Sequence, residues 1–130
     1  MPIIYRYNRQ IVPPAPMVNV IVISPEDPNI FFPGPGLIDT GADYTAITPK
    51  IFEKLTPLRV GSVYVESFRG EGDVHLLYSV NIEIHQWIFS HVPVIIGLDD
   101  YVILGRDLLN SFDFRLNGID GKFEILRCVY

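Results

Sequence analysis

The sequence predicts a mostly-β, single-domain protein with one or two short helices, and two observations carry that prediction. Short runs of β-branched or alternating residues are separated by segments rich in proline and glycine, as in chains built from strands and turns. The length of 130 residues suits one hydrophobic core. Because 48% of the residues are hydrophobic and only 19% are charged, the composition is that of a folded domain.

The first strand signal is the β-branched run of residues 17–23, which ends at the turn-rich segment 24–29. The next segment, "FFPGPG" at residues 31–36, contains two prolines and two glycines. Since proline cannot donate a backbone hydrogen bond to a neighbouring strand, we expect a loop there without regular pairing.

A hairpin is predicted in the middle of the chain. Residues 61–68 and 74–84 flank "RGEG" at residues 69–72, whose glycines suit a tight tip that must flex. In the second run, apolar residues at 80, 82 and 84 alternate with polar ones, which indicates a half-buried strand.

Two short helices and a second hairpin complete the prediction. In "TPKIFEKL", residues 48–55, Thr48 is a candidate N-cap and Pro49 stands at the first helical position. Residues 105–112 are the other helix candidate. Residues 112–126 then read as a hairpin with Asp120-Gly121 at its turn.

Charge and cysteine content exclude several classes of partner. The formal net charge is −5 and the ten basic residues are scattered, so we expect no nucleic-acid partner. The single cysteine, Cys128, allows neither an intrachain disulfide nor a cysteine-based metal site, and the three histidines have no converging spacing. We therefore expect no metal and no cofactor.

No targeting signal is evident in the sequence. The first 16 residues lack the charged and long apolar regions of a signal peptide, and the apolar runs are far shorter than a membrane-spanning helix. We expect a soluble, cytoplasmic protein with no membrane partner.

The stretch "LIDTGADYTAI", residues 37–47, contains a carboxylate in an apolar setting. Asp39 directly follows Leu37 and Ile38, where burial of a charge is unfavourable. Gly41 allows a sharp turn that brings N–H groups close to the carboxylate, and the Thr40 hydroxyl can bond to neighbouring backbone. The pattern fits either an ordinary Asx-type turn or a loop that holds a catalytic carboxylate rigidly in a dry place.

A second motif, "VILGRDLL" at residues 102–109, reads as an apolar strand that runs through Gly105 into a helix. With both motifs in this order and a glycine-tipped hairpin between them, residues 17–126 resemble the retropepsin-like aspartic proteases, the single-domain relatives of pepsin that include retroviral proteases. The resemblance implies a retropepsin-like acid protease fold with a flap hairpin. It divides the chain into an N-terminal extension, residues 1–16, and a protease domain, residues 17–130.

The resemblance also implies roles for individual residues. Asp39 is the expected catalytic aspartate, and the tip of the hairpin is the expected flap that contacts substrate. Asp43 and Arg106 match positions that pair and stabilise the active-site loop. The supporting loop residues are Thr40, Gly41, Ala42, Asp43 and Arg106, and the flap residues are Arg69, Gly70, Glu71 and Gly72. Two features depart from the family: Tyr44 is bulkier than many members have at that position, and the "RGEG" tip is more charged.

The expected activity is hydrolysis of peptide bonds in extended polypeptides by a homodimer. The sequence holds one Asp-Thr-Gly motif, so each chain would supply one Asp39 on a two-fold axis. Two carboxylates about 3 Å apart cannot both ionise cheaply and therefore share a proton. The ionised partner would activate a water, and the protonated one would hydrogen-bond to the developing oxyanion.

Two other functions stay open at this point. The fold could serve as an inactive dimerisation or peptide-binding module that takes up an extended segment by strand addition. Alternatively, residues 1–16 could block the cleft until self-cleavage removes them, or else they could add to the dimer interface.

Overall fold

The computed structural model describes residues 2–66 and 69–129, and within these ranges the chain forms ten strands and two helices. The strands are β1 (Ile3–Arg6), β2 (Met17–Ile23), β3 (Phe31–Ile38), β4 (Ala46–Ile47), β5 (Arg59–Glu66), β6 (Gly72–Ile84), β7 (Trp87–Ile96), β8 (Val102–Leu104), β9 (Phe112–Asn117) and β10 (Lys122–Cys128). The helices are α1 (Pro49–Leu55) and α2 (Arg106–Leu109). The predicted mostly-β architecture with two short helices is confirmed.

Seven strands form one sheet in the order β2-β3-β8-β4-β7-β6-β5. Because β2 also pairs with β6, six of them close into a ring around the core, and β5 extends from β6. Two pairings are parallel, β3 with β8 and β4 with β7, and these bring distant parts of the chain together beside the 39–45 loop. The side chains that fill the ring include Val20, Val22, Ile47, Val80, Ile82, Val94 and Leu104.

The chain termini form a separate sheet of three antiparallel strands in the order β1-β10-β9. Its inner face is anchored by Phe123, which is fully buried and stacks on the ring of Tyr5 at a centroid distance of 5.1 Å. Further along the N-terminal segment, the carbonyl of Pro16 accepts a hydrogen bond from the Ile38 amide at 3.0 Å. Residues 3–16 are thus tied to the fold at both ends, and the boundary at residue 16 stays a prediction.

The prediction of a loop at residues 31–36 is wrong, because this segment forms most of β3. It pairs with β2 along its whole length, with Pro33 opposite Ile21 and Pro35 opposite Asn19. Strand β8 joins β3 only from Gly36 onward, so both prolines lie where β3 has a neighbour on one side. Their missing N–H groups can then face the open side, where no strand needs them.

The other predicted elements are present with adjusted ends. β2 and β8 have the predicted bounds, and the Thr48 hydroxyl caps α1 by accepting a hydrogen bond from the Ile51 amide at 3.2 Å. Helix α2 is only one turn, shorter than the predicted 105–112, because Phe112 enters β9 and packs edge-on against Trp87. The predicted hairpin is formed by β5 and β6, although positions 67 and 68 of the run 61–68 lie outside the described residues.

Candidate active site

Asp39 is the first residue after β3, and the strand explains its apolar neighbours. Ile38 pairs with Leu104 of β8 and is buried, while Asp39 emerges half-buried at the end of the strand. The Asp39 amide still donates to the Leu104 carbonyl at 3.1 Å. The strand pairing therefore fixes the backbone of Asp39 beside the buried end of β3 and leaves the residue half-buried.

A tight turn orients the Asp39 carboxylate. Its Oδ1 accepts a hydrogen bond from the Gly41 amide at 3.0 Å, and its carbonyl accepts one from the Ala42 amide at 3.2 Å. A Cβ on residue 41 would lie 3.3 Å from Asp39 Oδ1, so glycine leaves the amide free to approach. This hydrogen bond favours one orientation of the carboxylate, and a defined orientation is what a catalytic group requires.

Arg106 ties this turn to α2. Its Nη1 donates to the Thr40 carbonyl at 2.9 Å, its Nη2 forms an ion pair with Asp43 Oδ1, and its backbone amide donates to the Ala42 carbonyl at 2.8 Å. Thr40 thus contributes a carbonyl to this network, and the predicted role of its hydroxyl stays a prediction. Three contacts from one residue fasten the loop more firmly than a single exposed ion pair could.

The other end of the loop is held at the buried residue Thr45 by Asp107, an exposed residue that the sequence interpretation missed. Asp107 Oδ1 accepts a hydrogen bond from the Thr45 hydroxyl at 2.8 Å, and Oδ2 accepts one from the Thr45 amide at 3.2 Å. The Thr45 oxygen in turn accepts one from the Gly105 amide at 3.1 Å. The available signal was the position of Asp107 next to Arg106 at a strand–helix junction.

Gly105 allows α2 to start against the loop. A Cβ at this residue would lie 2.6 Å from the Tyr44 carbonyl carbon and 2.7 Å from its oxygen, closer than real Cβ atoms come to backbone. The Tyr44 side chain is half-buried. The backbone on both sides of Asp43 is therefore packed directly on the turn that begins α2.

The predicted flap residues form the tip of the β5–β6 hairpin, where Glu66 pairs with Gly72. Arg69, Gly70 and Glu71 are exposed, and Gly70 has a φ of +80°, which favours glycine. A cavity at the tip is lined by residues of the hairpin itself, among them Glu66, Glu71 and Asp73. Contact of this tip with a substrate above Asp39 stays a prediction.

Residues 2–66 and 69–129 contain neither a candidate metal site nor a candidate membrane-spanning helix. No group of three or more His, Cys, Asp or Glu side chains there could hold a metal ion. No helix in the same ranges is long and apolar enough to cross a membrane. What this site offers chemically is one oriented carboxylate, a group of the kind that serves as general acid or base.

Comparisons with known proteins identify the family and the fold. The family described as gag-polyprotein putative aspartyl protease matches residues 33–111, a stretch that contains Asp39, the predicted flap residues and Arg106. The fold is similar to that of a retropepsin-like aspartic protease from Rickettsia conorii, at 22% identity and a TM-score of 0.61 over 96% of this chain and 90% of that one. It is also similar to EIAV protease complexed with the inhibitor HBY-793, at 21% identity and a TM-score of 0.56 over 74% of this chain and 86% of that one. No curated protein matches the sequence. The predicted retropepsin-like fold is confirmed.

Proposed function

This chain belongs to the family of gag-polyprotein putative aspartyl proteases, and from that premise we propose that it is a homodimeric aspartic endopeptidase. The observation that carries the proposal is the state of Asp39. Its carboxylate follows the buried end of β3, is oriented by the Gly41 amide and lies in a loop that Arg106 cross-links. An ordinary surface turn has no need of this degree of fixation.

The dimer follows from the number of carboxylates. Peptide hydrolysis of this kind uses two aspartates, and the sequence contains one Asp-Thr-Gly motif. A closed two-fold arrangement gives both copies the same environment and lets each supply one Asp39. The partner is therefore a second copy of this chain.

The two Asp39 carboxylates would share one proton, because like charges at short distance do not both ionise. The ionised carboxylate takes a proton from a water molecule, whose oxygen attacks the peptide carbonyl. The protonated carboxylate donates a hydrogen bond to the oxygen that becomes negative. Collapse of the tetrahedral intermediate then breaks the C–N bond, and the leaving nitrogen takes up a proton from the pair. The proton count belongs to the pair and to neither copy alone.

The substrate is an extended polypeptide in this proposal. The loop that carries Asp39 is held by Thr40, Gly41, Ala42, Asp43 and Arg106. The tip of the β5–β6 hairpin closes over the bound chain, and it consists of Arg69, Gly70, Glu71 and Gly72. The alternation of exposed and half-buried residues along β5 supports a hairpin that can add its edge to an extended segment. We also propose that the protein acts in the cytoplasm, and cell fractionation tests this.

The direct test compares cleavage of a fluorogenic peptide at mildly acidic pH by the wild type and by Asp39→Asn. We expect Asp39→Asn and a statine-containing peptide to abolish cleavage. The control is Asp27→Asn, because Asp27 Oδ1 also accepts a hydrogen bond from the amide two residues later, at 3.0 Å. It should keep wild-type activity. Cleavage by Asp39→Asn at the wild-type rate would refute the proposal, and peptide binding without turnover by the wild type would favour a binding module.

A mixing experiment tests whether two copies are needed. If the site requires one Asp39 from each chain, wild type and Asp39→Asn should form mixed dimers that are inactive. The activity of a mixture that exchanges subunits should then be proportional to the square of the wild-type fraction. An equimolar mixture would then keep about a quarter of the activity of the undiluted wild type. Activity proportional to the wild-type fraction would instead show that each chain works alone.

A further inference from the structure

Two adjacent residues at the start of α2 hold the two ends of the active-site loop. Arg106 contacts the loop at Thr40, Ala42 and Asp43, and 46% of its side chain is exposed. Asp107 contacts the loop at Thr45, which is fully buried. Asp107 is exposed, as Arg106 is, but its partner Thr45 has no exposed surface, so the hydrogen bonds between Asp107 and Thr45 are partly shielded from water.

We propose that Asp107 is a positioning residue for the reaction, acting on Asp39 through Thr45; this inference rests on the proposed protease function. The loop is fixed at its first residue by the bond between the Asp39 amide and the Leu104 carbonyl. Asp107 and Thr45 fix its last residue. With both ends fixed, the turn that orients the Asp39 carboxylate keeps one conformation.

A carboxylate is the group that fits at position 107. Three donors converge on it: the Thr45 hydroxyl and amide, and the Leu108 amide at 2.9 Å from Oδ1. A carboxylate can accept all three, and bonds to a charged acceptor are the stronger ones. An asparagine would have to set its NH₂ group against an N–H donor, so at least one of these bonds would be lost.

Thr45 connects the Asp107 anchor to the ring of strands. Its oxygen donates to Asp107 and accepts from the Gly105 amide, and its carbonyl accepts from the Ile95 amide of β7 at 3.1 Å. One buried residue thus joins the loop to α2 and to β7. Release of this point would let residues 40–44 shift, and small displacements of a catalytic group reduce turnover strongly.

The test uses Thr45→Val and Asp107→Asn, with Thr45→Ser as the conservative rescue. The matched control is Thr48→Val, since Thr48 is also buried and its hydroxyl also bonds to a backbone amide, but in the cap of α1. All variants are assayed well below the unfolding midpoint of the least stable one. We expect Thr45→Val and Asp107→Asn to lower kcat about tenfold or more with KM changed less than about twofold. Thr45→Ser should recover most of kcat, and Thr48→Val should keep it. Equal kcat values for Thr45→Val and Thr48→Val would overturn the proposal.

A second measurement separates this inference from the proposed function. Amide hydrogen exchange at Gly41 reports the bond to Asp39 Oδ1 and needs no substrate. Exchange at Gly41 should quicken in Thr45→Val and Asp107→Asn and stay unchanged in Thr48→Val. If the wild type cleaves no peptide, the proposed function fails while the exchange data still decide whether Asp107 holds the loop. Unchanged exchange at Gly41 in both loop variants would overturn the positioning role whatever the activity.

Discussion

Arg106 and Asp43 form an ion pair at the surface, with 46% and 65% of the two side chains exposed. The same guanidinium bonds to the Thr40 carbonyl, so the pair is one part of a wider attachment of the loop to α2. Because the charges stand in water, the ion pair by itself stabilises the fold little. Its value lies in the geometry it gives the loop.

The first prediction concerns the strength of this ion pair. Asp43→Asn should lower the free energy of unfolding by less than about 1 kcal/mol, and the effect should shrink at high salt, since exposed charges are screened. Arg106→Ala should lower the free energy of unfolding more than Asp43→Asn does, because it also removes the hydrogen bond to the Thr40 carbonyl. Urea unfolding of both single variants and the double variant, at low and high salt, measures the coupling. A coupling energy well above 1 kcal/mol would contradict the prediction.

The second prediction concerns the close approach at Gly105. In Gly105→Ala the new methyl group would lie 2.6 Å from the Tyr44 backbone, so either the loop or α2 must shift. We expect a loss of about 1–3 kcal/mol of stability, as for overpacking in general, and a marked loss of peptide cleavage.

The control for this variant is Gly118→Ala in the β9–β10 turn, where nothing lies within 4 Å of an added Cβ. Its stability should stay within about 1 kcal/mol of the wild type. Thermal unfolding and a cleavage assay compare the two variants. Equal stability and equal activity would show that the backbone at Tyr44 moves aside at little energetic cost, which would contradict the prediction.

The third prediction concerns alkaline pH. Burial raises the pKa of the Tyr5 phenol, which favours its neutral form in the folded protein. For a raised pKa, the stabilisation is fully present below the pKa of the unfolded chain and is lost as pH rises through the folded value. Unfolding free energy should therefore fall above about pH 10, and Tyr5→Phe, which keeps the ring on Phe123, should fall less steeply.

Urea unfolding between neutral and alkaline pH measures this difference in slope. Burial also raises the pKa of the Cys128 thiol, so both proteins should carry Cys128→Ser to isolate the phenol. Tyr64→Phe serves as the control, since Tyr64 is 59% exposed. The prediction fails if Tyr5→Phe and Tyr64→Phe have the same pH dependence.

Elements with local causes could be predicted from the sequence. β2 is a run of β-branched residues, and α1 begins where Thr48 and Pro49 supply a cap and a preset φ angle. The Asp39 turn was predictable for the same reason, because its bonds join residues two or three positions apart. In each case the determining contacts lie within a few residues.

Features that depend on distant partners could not be predicted. The prolines of β3 are compatible with a strand because one of its sides is open there, and the sequence does not show which side another strand will cover. Strand β1 was missed because its partner, β10, comes from the other end of the chain. Asp107 was missed likewise, since the donors it meets on Thr45 lie 62 positions earlier.

The last prediction concerns the predicted N-terminal extension and tests whether it blocks the cleft. Removal of residues 1–6 deletes β1, opens one side of β10 and takes the Tyr5 ring off Phe123. Exposure of these apolar groups should lower stability by about 3 kcal/mol or more, a large part of the stability of a small domain. A deletion that stops before Ile3 should leave stability nearly unchanged. If residues 1–16 instead blocked the cleft, removal of residues 1–6 would raise cleavage activity. Because β1 is paired within the fold, we expect urea unfolding to show a weaker protein and the peptide assay to show no gain in rate.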